Sequence, residues 1–595
     1  MPRRTLEKAK DFKGTLKKLI NYLSVYKLSL FIVLLFAISS TVFAIIGPKI
    51  LGNATTELFN GLTNKISNNG GIDFEKIGAI LLTLLGLYIL SAIFSLIQGF
   101  IMANVTQKIT FNLRKDISLK IKTLPMKYFD KKNHGEILSI ITNDVDNLSM
   151  NLNQSAVQLI TSIVTLIGVL VMMISISVSM TLMALIILPL SAILMAFVVK
   201  RSQKHFKNQQ DYLGHVNGSV EEMYSNHNVV KAYNKEKDLL KTFDKDNDIL
   251  CESALKSQFL SGLMQPIMGF VGNLGYVGVA VLGGYLVING RITVGNIQSF
   301  IQYMRQFTQP VNQVAQISNM LQSMMASAER IFEFLDEEEE IDVKSKVKLD
   351  NVKGNITFDH VKFGYDDKII INDFNCEVKE GMKVAIVGPT GAGKTTIVKL
   401  LMHFYELNGG KILIDGVDIK EINKNTLRHC FGMVLQDTWL FNGTILDNIK
   451  YGALDSTKEE VIKASKKACV HHFITTLSKG YEMEINEEAS NISQGQKQLI
   501  TIARAILADP KVLILDEATS SVDTRTEILI GKAMDELMKN RTSFIIAHRL
   551  STIKNADIIL VMDKGNIVEV GNHDDLLAKN GFYAKLYNSQ FDKVS

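Results

Sequence analysis

The chain has 595 residues, room for several domains, and 47% of them are apolar with a positive mean hydropathy, which is high for an ordinary soluble protein and points to membrane segments. Its 65 basic and 60 acidic residues leave a formal charge of +5, so the balance does not indicate a nucleic-acid-binding chain, and no nucleic acid is expected as a partner. Cys251, Cys376, Cys430 and Cys469 are scattered without C-x-x-C spacing, which argues against a disulfide framework or a zinc site and reads as reduced thiols.

Residues 1–27 form a basic segment. Arg3, Arg4, Lys8, Lys10, Lys13, Lys17 and Lys18 precede any apolar run and no small-residue cleavage site follows, so a cleaved signal peptide is not expected. A bilayer crossing takes about 20 mostly apolar residues. Leu28 to Pro48 supplies one such run and Ile77 to Gln107 a second; Ser155 to Val199 is too long for one helix and reads as two joined near Ser177 to Ser179; Ser257 to Gly290 gives a fifth. A sixth, more polar, begins after the turn-like NGRITVG at 289–295. Six spans over residues 28–330 put both ends of the region on one side, and the basic N-terminus with Lys108, Arg114, Lys115, Lys120 and Lys122 marks that side as cytoplasmic. The connections at 108–154 and 200–256 are long, charged and helix-patterned, so these helices are expected to continue into the cytoplasm. Their apolar tips, such as LPMKYFD at 124–130, read as contact points for another domain, against the plainer reading of a solvated hairpin.

Along the sixth span Gln298, Gln302, Arg305, Gln309, Asn312, Gln316 and Asn319 recur at spacings of three and four, on one helix face. A polar stripe is costly against lipid, so it should face a neighbouring helix or a wet cavity. Gln298, Gln302, Arg305, Gln309 and Gln316 are therefore candidates for the wall of a substrate pathway, with interhelical hydrogen bonding as the plainer alternative. Pro310 interrupts this helix and is expected to kink it.

An acidic linker over 331–350, containing DEEEEID, separates this region from a soluble domain over 351–595. There VAIVGPTGAGKTTIVKLL at 384–401 is a strand, then G-x-x-x-x-G-K-T, then a helix, the context a P-loop requires. Gly388, Gly391 and Gly393 let backbone N–H groups wrap phosphates, Lys394 reaches the β and γ oxygens, Thr395 offers a hydroxyl to Mg²⁺, and Thr396 adjoins it. Downstream, KVLILDEATS sets Asp516 at the end of a second buried strand, where it can hold the metal through water. Glu517 beside it is placed to polarise the attacking water; capping the following helix is the plain alternative. The fold class expected is an α-helical membrane domain of six transmembrane helices with long cytoplasmic extensions, joined to an α/β P-loop NTPase domain.

GPTGAGKTT, then Gln436 in MVLQD, then ISQGQ, then LILDEATSSVD, then His548 in IIAHRLST resembles, in that order, the nucleotide-binding domain of ATP-binding cassette transporters. The six-span region before it resembles their half-transporter exporters, including multidrug, lipid and peptide members, so the resemblance covers nearly the whole chain. It implies ATP and Mg²⁺ as cofactors, with Tyr365 of FGYDD stacking on adenine. Gln436 would sense the γ-phosphate, join Thr395 and Asp516 at the metal and touch the membrane domain, while His548 would contact the γ-phosphate. Asp523 falls in the loop that communicates between two nucleotide-binding domains. The tips near 124–130 and 223–232 resemble the coupling helices. The localisation implied is multi-pass in the cytoplasmic membrane, with the nucleotide-binding domain and both termini cytoplasmic.

The stretch NISQGQKQL at 491–499 gains a purpose from that resemblance. Ser493 offers a hydroxyl and Gly495 lets backbone N–H groups approach an anion at a helix start. In the family this signature loop clamps ATP held by the other subunit, so Ser493, Gly495 and Gln496 would complete a partner's site while Lys394 and Glu517 serve this chain's own. Two departures stand out. The stretch reads ISQGQ where LSGGQ is commonest, so Ile492 and Gln494 replace usual residues. NEEAS at 486–490 stands where many exporters carry a GERG-like stretch, with only Glu487 matching. Together they resemble heterodimeric exporters with one impaired ATP site. The expectation is one half of a heterodimer that exports a small amphipathic or hydrophobic substrate, a drug, lipid or peptide, with membrane lipid around it. A homodimeric exporter is the alternative, and an ATP-gated channel on the same frame a more distant one.

Overall fold

A computed structural model of the chain describes residues 9–68, 70–341, 352–366, 368–436, 438–486, 491–516, 522–546 and 553–591. The chain divides into two compact units. The first takes in Met1–Lys122 and Asn133–Glu337, and the second Thr123–Lys132 and Glu338–Ser595.

The first unit is helical. Helices α1 (Phe12–Leu23), α2 (Lys27–Ile66) and α3 (Phe74–Thr123) are followed by α4 (Met126–Lys131), which belongs to the second unit. Then come α5 (His134–Ser139), α6 (Val145–Ile176), α7 (Val178–Ser225), α8 (His227–Ala232), α9 (Glu236–Gly262), α10 (Met264–Ile288) and α11 (Val294–Asp336). Among the described residues five helical segments are long and apolar enough to cross a membrane. The sixth long helix, α11, has the length but carries the polar stripe, so the helix count of six holds only approximately. The division inside Ser155 to Val199 falls at Ser177, which is extended (φ −163°, ψ 120°) and whose hydroxyl accepts the Met180 amide at 3.4 Å to cap α7. Pro310 does not end α11, which runs through it without a break.

Small residues let α2 and α11 approach closely. A Cβ on Gly295 would lie 1.7 Å from the Gly52 carbonyl oxygen. Beside this contact the Ser299 hydroxyl donates to the Pro48 carbonyl at 2.7 Å, and the Tyr303 hydroxyl donates to the Ile45 carbonyl at 2.8 Å, in the turn that precedes the Pro48 ring. Lower on α11, Arg330 holds buried Asp144 (Nε to Oδ2, 3.0 Å) at the end of a π turn over Ile140–Asp144.

In the second unit a ten-stranded sheet has the order β5-β4-β1-β2-β12-β11-β3-β10-β9-β6. The strands are β1 (Ile356–Tyr365), β2 (Lys368–Val378), β3 (Lys383–Val387), β4 (Gly409–Ile414), β5 (Val417–Asp418), β6 (Phe431–Val434), β9 (Val512–Asp516), β10 (Thr542–Ile546), β11 (Ile558–Asp563) and β12 (Asn566–Gly571). A separate antiparallel pair joins β7 (Gly443–Thr444) and β8 (Glu484–Ile485). The segment β11-β3-β10-β9-β6 is parallel. These strands are buried on both faces, hence their near-continuous apolar runs. Val384 and Ile386 of β3 pack into one core, while Ala385 and Val387 pack into the other. The first core is closed by α12 (Lys394–Leu401) and α13 (Lys424–His429). Against the second lie α14 (Ile445–Lys450), α15 (Lys458–Lys467), α16 (His471–Thr476), α17 (Gln494–Ala508) and α18 (Thr524–Met538).

Candidate nucleotide site and membrane cavity

The loop from β3 to α12 is shaped by its glycines. Gly393 sits at φ 101° as the N-cap of α12, a conformation a side chain would resist, and a Cβ on Gly388 would lie 2.2 Å from the Met562 carbonyl oxygen. Gly391 also has positive φ. The loop therefore exposes backbone N–H groups at a helix start, the arrangement that receives phosphate. The Lys394 ammonium donates to the carbonyls of Gly388 (2.8 Å) and Pro389 (3.1 Å), folding back over the loop. Burial pushes its pKa down, and the charge of Asp516 opposes that only partly. Register brings Asp516 to the same sheet edge, because β3 and β9 both flank β10 in parallel, with Ile386 and Asp516 each opposite Ile546. Thr395 follows Lys394 in the first turn of α12, and the next residue, Thr396, is buried. Gln436 is exposed just beyond β6, which pairs with β9. Glu517 and His548 lie outside the described residues, as do Glu487 to Ser490.

Tyr365 ends β1 and stands edge-on to Phe363 and Tyr405, with ring centroids 5.0 Å away in each case. Ser493 is the N-cap of α17 in a reciprocal capping box: its hydroxyl accepts the Gln496 amide N–H at 3.4 Å, and the Gln496 side-chain oxygen accepts the Ser493 N–H at 3.1 Å. The hydroxyl proton stays available to an acceptor. Gly495 has a further reason to be glycine that spacing did not reveal. A Cβ there would lie 2.4 Å from Thr526 Cγ2 and 2.8 Å from Val522 Cγ1, so it sets the approach of α17 to the start of α18. Ile492 is 5% exposed and fills the core. Gln494 instead donates through Nε2 to the Thr438 hydroxyl at 3.1 Å, in the segment that follows Gln436. Asp523 caps α18, accepting the Thr526 N–H at 3.0 Å, and hydrogen bonding first from the Thr526 side chain and then from its backbone holds the carboxyl below the usual range.

The segment at 123–132 carries residues that sequence reasoning did not single out. Asp130 accepts from Lys399 of α12 at 2.8 Å and from the Tyr405 hydroxyl. Burial pushes the Asp130 pKa up, but these two donors outweigh it and hold the carboxyl below its ordinary value. Asp366, next to Tyr365, pairs with Lys127 (3.0 Å) and Lys131 (2.9 Å). The second tip stays in the first unit, where Tyr224, Val229 and Tyr233 are 86%, 55% and 73% exposed.

The polar stripe of α11 divides. The Gln298 side-chain oxygen accepts from the Thr55 hydroxyl of α2, the plainer interhelical alternative. Gln302 is half-buried one turn on. Arg305 and Gln309 are exposed and line a cavity of about 520 Å³ between α10 and α11. The side chain of Gln316, like that of Asn312, lies outside the described residues.

Residues 30–311 match the family described as ABC transporter transmembrane region, and residues 371–520 match the one described as ABC transporter. A fatty acid ABC transporter ATP-binding/permease protein of Mycobacterium bovis is 44% identical over 611 aligned positions, covering 97% of each chain. An ATP-dependent lipid A-core flippase of Syntrophus aciditrophicus is 36% identical, covering 87% of each. Among solved structures, a bacterial Atm1-family ABC exporter with ATP bound matches at TM-score 0.72 and 27% identity, over 96% of this chain and 98% of that one.

Proposed function

The chain belongs to the ATP-binding cassette transporter family, as an exporter-type protein with its membrane and nucleotide-binding domains fused, and from that premise we propose that it moves acyl-chain amphiphiles across the membrane as one half of a dimer. ATP hydrolysis coupled to multi-pass membrane transport, with the nucleotide-binding domain cytoplasmic, comes with the family. The lipid-type substrate is supported by the names of two relatives, a fatty acid transporter and a lipid A-core flippase. Both termini are read as cytoplasmic from the basic N-terminal segment.

In this reading Lys394 and the amides of Gly388, Gly391 and Gly393 hold the phosphates, Tyr365 stacks on adenine, and Glu517 orients the attacking water with His548 beside the γ-phosphate. Thr395, Gln436 and Asp516 supply only oxygen donors. No cluster of three His, Cys, Asp or Glu exists among the described residues. Such a set fits Mg²⁺, which keeps several waters and takes phosphate oxygens rather than a dedicated protein cage; when bound it would neutralise charge on the phosphates. Ser493, Gly495, Gln496 and Asp523 face the second chain's nucleotide, and the exposed Tyr224, Val229 and Tyr233 dock on that chain's nucleotide-binding domain. The second chain is a different one. What favours this is Gln494, whose side chain stands where the common signature has glycine and is spent on Thr438.

One observation carries the coupling: Asp130, on the segment that continues a membrane helix, is hydrogen-bonded by Lys399 of the P-loop helix. Asp130→Ala is expected to leave ATP hydrolysis in place but unresponsive to acyl amphiphiles, with Asp130→Glu restoring part of the response, measured as stimulated over unstimulated ATPase rate in nanodiscs. An unchanged ratio in Asp130→Ala contradicts the coupling role.

A further inference from the structure

Arg305 lies ~16 Å along α11 from Val294 at 1.5 Å per residue, about half of a hydrocarbon core about 30 Å thick when measured from the start of the helix. Its side chain is exposed, and among the described residues no group pairs with it. The contrast on the same helix is Arg330, which is satisfied by Asp144. An unpaired cation at that depth is costly against lipid, so arginine there marks a wet or ligand-bearing face. The cavity beside it, about 520 Å³, falls in the size range of small-molecule sites. Among the described residues Arg305 is its single charged lining residue, and no carboxylate lines the cavity with it.

The opposite wall suits a chain rather than a compact polar solute. Gly269 and Gly272 of α10 have open space where a Cβ would stand, so bare helix backbone faces the cavity, with Ile301 and Met304 adding apolar surface. Asn273 and Gln309 supply neutral polar groups near the cation. A guanidinium presents a planar fork that matches two oxygens of a carboxylate or phosphate.

We propose that Arg305 selects the substrate by its headgroup: it receives the oxyanion, carboxylate or phosphate, of an acyl-chain amphiphile whose chain lies along the Gly269 and Gly272 face. This rests on the acyl-amphiphile reading above and adds to it the sign of the headgroup.

The test uses the full-length assembled transporter in nanodiscs and reads the concentration of amphiphile that half-maximally stimulates ATP hydrolysis. Palmitate and lysophosphatidic acid are set against their uncharged counterparts, palmitate methyl ester and monoacylglycerol. Wild type should respond to an anionic member at roughly tenfold lower concentration or better, the preference a charge-assisted hydrogen bond supports. Palmitate alone showing the preference assigns a carboxylate, and lysophosphatidic acid alone a phosphate. Arg305→Gln should bring the anionic-to-neutral ratio to about one by raising only the anionic concentrations, and Arg305→Lys should retain part of the preference. Gly272→Leu, which fills the chain face, should raise the concentrations of charged and neutral members together. An unchanged ratio in Arg305→Gln, or a silent Gly272→Leu, overturns the assignment. Equal response of wild type to charged and neutral members overturns the role of Arg305 and leaves the acyl-amphiphile reading standing. No response to any of the four overturns both.

Discussion

Lys394 and Ser493 are each committed to a local partner before any ligand is considered, and both commitments have measurable consequences. Because burial depresses the Lys394 pKa, the ammonium loses its proton at a lower pH than an ordinary lysine. Bound phosphates favour the charged form, so ATP binding on the alkaline side should take up protons, and affinity should fall as pH rises through the depressed pKa. Calorimetry in buffers of different ionisation enthalpy reads that uptake; its absence at alkaline pH, or its presence unchanged in Lys394→Arg, speaks against the assignment. For Ser493 the cap and the catalytic role can be separated. Ser493→Ala loses both, costing about 1 kcal/mol of stability and lowering turnover in part. Ser493→Asn keeps a capping oxygen but loses the hydroxyl, so thermal stability should return and ATPase activity should not. Recovery of both in Ser493→Asn would reduce the residue to a helix cap.

At the scale of elements, what was legible in the sequence follows local rules. The P-loop announced itself because strand, glycines and helix are contiguous, and the Ser177 break because two apolar runs exceed one membrane thickness. Features made by residues far apart in the chain were not legible. Asp130 lies in the 124–130 tip that reads as a contact point, but its partner Lys399 is 269 positions away and nothing local marks the pair. The tight approach of Gly495 to Thr526 likewise depends on how α17 meets α18. The α11 stripe was readable as a periodicity but not as a division, because the pattern does not say that Gln298 meets Thr55 while Arg305 faces a cavity. The Gly52 and Gly295 contact was hidden in the same way, and it carries its own prediction. A Cβ at Gly295 leaves no room without moving α2, so Gly295→Ala should cost about 1–3 kcal/mol of stability through overpacking. Thermal unfolding in detergent measures this, and an unchanged midpoint would mean that the two helices are not held at that distance.

For the whole molecule, a helical membrane unit is joined to a nucleotide-binding unit, and in the proposed reading the signature loop of a second chain completes its ATP site. In that reading, ATP shared between two chains draws their nucleotide-binding domains together, and hydrolysis replaces the shared ligand with products that separate them, rocking the membrane helices between inward- and outward-open states. Purified alone, this chain should hydrolyse ATP poorly if its second half is a different protein; robust, cooperative hydrolysis by a symmetric dimer would make it a homodimer. The claim that movement of substrate is driven by hydrolysis is tested most directly by transport of a fluorescent acyl amphiphile into proteoliposomes, comparing wild type with Glu517→Gln in the assembled transporter. Wild type should accumulate the amphiphile against its gradient when ATP is supplied, whereas Glu517→Gln should still bind ATP and yet accumulate none. Equal accumulation by the variant, or only downhill flux that opens on ATP binding, would contradict it.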